Sequence, residues 1–301
     1  MTGSICRLSI AVATLGLAMF LSTPIHAADA DPFAGVEVTA AKVAGSVYML
    51  TGSGGNIGLS VGTDGTLMVD DKYAPLSQRI QAAIASVGGD EPKIILNTHY
   101  HGDHTGGNPQ FGASGTIIAH ENVRVRLLDE EDFARTGLPV VTFEDKLRIY
   151  FNDDELDVLH LPTGHTDSDA IVWFKNANVL HLGDHFFNGM FPYIDLEGGG
   201  SLQGFIKNLK TIIAMAPEDV RIIPGHGKLG NILELAENVE MLESTYSAVE
   251  VALAAGKTEQ EILDAGVDER WQSYAWQFIT QERWLKTLIT EATGGITQAR
   301  R

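Results

Sequence analysis

The stretch Thr98-His99-Tyr100-His101-Gly102-Asp103-His104-Thr105-Gly106-Gly107-Asn108 places three histidines and an aspartate within six residues. Imidazole nitrogen and carboxylate oxygen are donors that zinc takes. His99 and His101 alternate and can face one point, while Asp103 and His104 face a second point a few ångströms off. Gly102, Gly106 and Gly107 allow the backbone to fold closely around such a centre. A single histidine in a loop is usually no more than a solvated side chain. Here three further sites repeat one design: Gly164-His165, Gly183-Asp184 and Gly225-His226 each follow a short apolar run. A ligand held at the end of a strand is held on a rigid element.

Seven donors are too many for one tetrahedral zinc and suit two ions that share a carboxylate. We assign His99, His101 and His165 to the first ion and Asp103, His104 and His226 to the second, with Asp184 bridging. Asp103 is also the candidate catalytic residue, placed to orient the nucleophile or pass on its proton. Ligation by His and Asp without a thiolate fits two Zn2+ per chain, and iron and manganese accept the same donors. Of the other histidines, His120 is read as a helix cap and His160 and His181 as strand residues. His185 is set apart only by its place beside Asp184. Asp70 and Asp71, at a strand end, either hydrogen-bond the ligand histidines or cap a turn. Tyr193 either donates to an oxyanion or packs.

The elements that must position these groups follow from hydrophobic periodicity. Residues 36–50 and 55–71 read as paired strands, with Asp64-Gly65 marking a hairpin. Residues 77–87 have helical spacing, and 93–97 is the buried strand that delivers the histidine loop. A strand at 116–119 and a helix at 121–135 follow. Strands then return at 147–151, 155–161, 170–174 and 178–182. A helix at 201–215 and a strand at 221–224 precede helices at 230–254, 258–265 and 275–291. The last of these is read as carrying Trp276, Phe278, Ile279 and Trp284 on its apolar positions, and the cluster Trp271, Trp276 and Trp284 as core in preference to a subunit contact. Strands in two batches, each followed by helices, predict an α+β fold of two mixed sheets packed face to face with helices outside. Loops 50–56, 108–115, 128–146 and 186–200 are the candidates for setting selectivity.

Arg7 followed by the apolar run Leu8 to Leu21, then Pro24 and small residues at Ala27 and Ala30, reads as a signal peptide over residues 1–30. The run is about 14 residues, short of the ~20 a spanning helix needs. Residues 31–301 are then one domain, helical from about 230. The chain has one cysteine, Cys6, inside the leader. A mature chain with no thiol suits export to an oxidising periplasm, with no membrane anchor after cleavage. Formal charge is −18, from 39 acidic and 21 basic residues. Such a surface repels phosphate backbones and argues against nucleic acid as a partner, and solubility is a sufficient reason for the charge. Nothing in the sequence sets an oligomeric state.

The pattern His-x-His-x-Asp-His at 99–104, with His165, Asp184 and His226, resembles the metallo-β-lactamase-fold hydrolase superfamily over most of residues 40–230. The resemblance implies an αβ/βα sandwich with a dimetal site at one edge of the two sheets. It also implies a hydrolase in which a metal-bound hydroxide attacks a carbonyl, here of a β-lactam-like or lactone ring. Zinc β-lactamases of the best-known subclass have Cys where Asp184 stands. Asp184 and the 98–108 phrase look like glyoxalase II, which makes a thioester hydrolase the alternative, although residues 185–195 depart from that pattern. Residues 184–201, with Gly198-Gly199-Gly200-Ser201, resemble exported β-lactamase-like hydrolases. From other classes, an iron-dependent dioxygenase or a non-catalytic metal-binding protein would use the same donors.

Overall fold

The structure, a computed structural model, describes residues 1–3 and 32–294. The signal peptide expected over residues 1–30 lies almost wholly outside them.

Seven strands form the first sheet, in sequence order: β1 (Thr39–Ala44), β2 (Val47–Thr51), β3 (Ile57–Gly62), β4 (Gly65–Val69), β5 (Pro92–Asn97), β6 (Thr116–His120) and β7 (Val141–Phe143). The hairpins β1–β4 are antiparallel, and β4 to β7 run parallel. The parallel crossovers carry α1 (Ser77–Ser86), the one-turn helices α2 (Gly102–Thr105) and α3 (Asn108–Phe111), and α4 (Glu121–Asp129). The second sheet has β8 (Lys146–Phe151), β9 (Asp154–His160), β10 (Ala170–Phe174), β11 (Val179–His181), β12 (Arg221–Ile223) and β13 (Gly230–Asn231). Its spatial order is β13-β12-β11-β10-β9-β8, and only β11 and β12 are parallel. The second sheet's helices are α5 (Leu202–Met215), α6 (Ile232–Ala254), α7 (Glu259–Ala265) and α8 (Gln281–Thr293). Both sheets are mixed, as expected, and helices complete an α+β sandwich.

Alternation along the strands builds the layers, because successive strand side chains face opposite ways. Val47, Met49, Leu67 and Val69 meet Leu156, Val158, Val172 and Phe174 in the core between the sheets. The outward positions Ile171, Leu180 and Ile222 join Phe205, Leu209, Leu242, Trp284 and Leu288 of the helices in a second core. Caps set the helix starts: Ser201 accepts from Gly204 N, and Asn231 with Glu234 makes a capping box.

Three boundaries differ from the sequence reading. The helix at 121 stops at Asp129, six residues early, and the strand β7 (Val141–Phe143) goes unread because three residues give no period. The last helix begins at Gln281, capped by Thr280, instead of at residue 275. Trp271 and Trp284 are core, but Trp276 and Phe278 precede the helix, and Phe278 is 48% exposed. Among the described residues, no helix is long and apolar enough to cross a membrane.

His120 caps α4 by accepting from Asn122 N. Its ring stacks 3.7 Å from that of His160, joining the end of β6 in one sheet to the end of β9 in the other. Burial and then His160 push the His120 pKa down to about 4, and burial lowers His160 as well. An unfolded histidine titrates near 6.5, so between pH ~6.5 and ~4 the unfolded chain binds more protons. Stability therefore falls as pH drops through that window. Melting temperature against pH should show this slope, and His160→Gln should flatten it.

Candidate metal centre

Within each sheet, the strands that deliver the seven donors end at the same edge. His99, His101, Asp103 and His104 follow β5; His165 follows β9, Asp184 follows β11 and His226 follows β12. The fold brings all seven together. His99, His101, His165 and Asp184 form one group of candidate ligands, and Asp103, His104 and His226 form another; in each, the ligand atoms lie within 4.8 Å of one another. Asp184 faces both. Its Oδ2 is 3.8 Å from His99 Nε2 and 3.4 Å from His165 Nε2, while Oδ1 is 3.1 Å from His104 Nε2 and 3.5 Å from His226 Nε2. Asp103 Oδ2 lies 3.3 Å from His226 Nε2 and 3.6 Å from His104 Nε2. Two donors 2.0–2.1 Å from a tetrahedral zinc stand about 3.3 Å apart, so these separations suit an ion in each group.

Two further observations test the fit. Among buried side-chain atoms, His99 Nε2, His104 Nε2 and Asp184 Oδ1 have no hydrogen-bond partner. Orphaned buried polar atoms are rare and call for a bound species. The electrostatics also call for positive charge. Burial alone would lower the pKa of His104, yet Asp184, Asp103 and Asp70 hold it well above its ordinary value. His226 is likewise raised to about 9 against its burial by Asp184 and Asp103. Burial would raise Asp184, and the neighbouring histidines, His226 foremost, hold it well below. The donor set fits a pair of cations.

The donors are oriented from behind. Asp70, at the end of β4 in the left-handed region (φ 64°), accepts from Thr98 N at 2.7 Å and from Thr98 Oγ1 at 2.8 Å. Its Oδ2 also takes His104 Nδ1–H at 2.7 Å, which leaves Nε2 bare for an ion. Thr98 Oγ1 in turn lies 3.0 Å from His99 Nδ1. One carboxylate thus sets one histidine in each group. Asp71 does not reach a ligand: its Oδ1 accepts from Gly107 N. His165 Nδ1 donates to the Tyr193 carbonyl at 2.6 Å, so Tyr193 holds a ligand through its backbone.

Sequence reasoning missed Asp195 and Tyr100. Asp195 Oδ2 lies 3.0 Å from His101 Nε2 and accepts from the Tyr100 hydroxyl, while Oδ1 takes Gly198 N. His101 therefore presents Nδ1, which is 2.9 Å from His165 Nε2. The Tyr100 ring lies under Arg126, which pairs with Asp167 and donates to Gly198 O. Asp195 lies in the run 184–201, which has no spacing rule to single it out. Lys72, wholly buried, donates to the Gly55 carbonyl, and burial lowers its pKa to about 8. His181 and His185 stay outside both groups. His181 Nε2 lies 3.1 Å from Asn56 O, and His185 Nε2 lies 3.1 Å from Asn208 Nδ2. Of the loops expected to shape the mouth, 50–56 and 186–200 border the donors. Residues 108–115 hold α3, whose buried Asn108 bonds Asn97 and Gly137.

A family model described as the Metallo-beta-lactamase superfamily matches residues 50–226. The chain is 32% identical over 162 residues to a hydroxyacylglutathione hydrolase of Nitrosococcus oceani, covering 53% of this chain and 57% of that protein. It is 26% identical over 154 residues to a type 2 metallo-beta-lactamase of Bacteroides fragilis, covering 50% of this chain and 59% of that one. The matches thus span less than two thirds of these relatives' own lengths. In fold, it is similar to a solved metallo-beta-lactamase from Pontibacter korlensis (TM-score 0.60, 16% identity, 69% of this chain and 99% of that one). The solved DIM-1 metallo-beta-lactamase is similar at TM-score 0.60 and 19% identity, over 69% of this chain and 98% of that one.

Proposed function

This chain belongs to the metallo-beta-lactamase superfamily, and from that premise we propose that it is a dinuclear zinc-dependent hydrolase of a small molecule, opening a β-lactam-like or lactone ring. The observation that carries the reading is Asp184, which presents one oxygen to each of two donor groups. When bound, zinc polarises a carbonyl and lowers the pKa of bound water to about 7. The chain's own residues supply the rest. The buried histidines His99, His104 and His165 hold the centre in low dielectric, where charge stabilisation is strong. Asp103 Oδ2, kept ionised at a pKa of about 2 because His104 and His226 override its burial, would accept a hydrogen bond from the attacking water and orient it. Asp195 and Tyr100 keep His101 from rotating.

Thioester hydrolysis is the second reading, supported by the likeness to the hydroxyacylglutathione hydrolase of Nitrosococcus oceani. The leader-like N-terminus supports export to the periplasm as part of the proposal. The test is nitrocefin with a short lactone and thioester panel on protein whose metal content is measured in parallel. About two zincs per chain with turnover of nitrocefin or a lactone is the expected result. Turnover of thioesters alone moves the substrate to the second reading. Iron without hydrolysis would replace the proposal with a dioxygenase, and metal without any turnover would replace it with a metal-binding protein.

A further inference from the structure

The segment between the short 3-10 helix Glu269–Tyr274 and α8 lies beyond the residues matched by the family model, and it brings aromatic rings to the metal centre. The Trp276 ring is 5.8 Å from His226 and 6.3 Å from Phe187. Phe278 is 5.6 Å from Trp276, and Tyr193 is 5.6 Å from Phe278. Tyr193 in turn lies 5.7 Å from both His101 and His165. The rings make an unbroken arc from the second donor group to the first. Trp276 is anchored by Nε1 donating to Phe191 O at 2.9 Å, so the arc is built into the fold.

Arg283 stacks on the outer end of this arc, with Cζ 4.1 Å over Phe278 and 5.1 Å over Tyr193. Its Nη1 donates to Phe278 O at 2.9 Å, and among the described residues no carboxylate pairs with it. Two facts make that unusual. Acidic residues outnumber basic ones by 39 to 21. Arg283 also stands in the first turn of α8, where the helix dipole disfavours a cation. The nearest acid in sequence, Glu282, pairs with Lys286 instead. A half-buried guanidinium held against two rings, with Nε and Nη2 uncommitted among the described residues, matches the two oxygens of a carboxylate.

We propose that Trp276, Phe278, Tyr193 and Arg283 form the recognition subsite of the hydrolase, for a substrate that joins a flat apolar body to a carboxylate. The body lies on the rings, the carboxylate pairs with Arg283, and the scissile carbonyl reaches the donor groups. This rests on the hydrolase reading above.

The test titrates phenylacetate and its uncharged isostere phenylacetamide into the metal-loaded and metal-stripped full-length protein, followed by tryptophan fluorescence. The native protein should bind the acid about tenfold more tightly than the amide, the size of one charge-assisted pair. Arg283→Ala should abolish that preference, and Arg283→Lys should retain part of it. A preference that survives metal stripping and falls with Arg283 supports the subsite. A preference lost on stripping and untouched by Arg283→Ala overturns it, as does equal binding of acid and amide. Hydrolysis of nitrocefin and of the lactone and thioester panel on the same samples separates the two proposals. No turnover with an Arg283-dependent preference removes the hydrolase reading and keeps the subsite; turnover without such a preference does the reverse.

Discussion

Asp184→Ala should release metal from both donor groups and lower hydrolysis by at least about a thousandfold. The side chain stands 3.1–3.8 Å from four histidine nitrogens, Oδ2 serving His99 and His165 and Oδ1 serving His104 and His226. Removing it takes one donor from each group and the negative charge that would offset the two proposed dications. Several kcal/mol of Lewis-acid stabilisation depend on those ions, and ~4 kcal/mol is about a thousandfold in rate. Metal content by mass spectrometry should fall from two per chain to below one, while far-ultraviolet circular dichroism stays unchanged. Full metal content and activity in this variant would show that the two groups do not share a carboxylate.

The second large effect is expected from Gly55→Ala. A Cβ built on Gly55 would sit 2.8 Å from His104 Nδ1 and nearer still to Cε1 and Nε2. His104 has nowhere to go. It is fully buried, its Nδ1 is held by Asp70, and the His99 ring lies 4.2 Å away. Gly55 is fixed as well, since its N–H donates to Asp103 O at 3.2 Å and its carbonyl accepts from Lys72. Overpacking of this kind costs about 1–3 kcal/mol. The variant should lose the ion of the second group, keep that of the first, and melt several degrees lower. Gly102→Ala, on the histidine loop itself, is the control. A Cβ there meets nothing within 4 Å, so metal content and melting should not change. Two ions retained in Gly55→Ala would mean that the loop at 52–55 yields freely.

Much of the donor set was legible because its signals are local. A strand, a glycine and a His or Asp recur at 164–165, 183–184 and 225–226, and the dense motif at 99–104 needs no partner to be seen. The parallel strands and long helices were legible for the same reason: runs such as Ile94-Ile95-Leu96 and the 3.6-residue spacing of α5 extend far enough to show a period. Residues whose meaning depends on a distant partner were not. Asp195 matters because it meets His101 and Tyr100, 94 and 95 residues away. Trp276 and Ile279 have the i,i+3 spacing of a helix face, but the cap at Thr280 starts α8 after them, and the Trp276 ring lies against His226 as well as against the core.

The sequence by itself determined the chemistry on offer: seven nitrogen and oxygen donors without a thiolate, an acidic surface, and strands enough for two sheets. Side-chain type and short-range spacing are properties of the chain alone. The tertiary structure decided how that chemistry is arranged. Only the packing of two sheets face to face sets the two oxygens of Asp184 against different histidines, and only the β4–β5 pairing puts Asp70 behind both His104 and Thr98. The C-terminal segment reaches the centre because α6 and α8 cover the second sheet and carry it there. Contacts across more than a hundred residues are set by the sum of the packing, which no local pattern encodes.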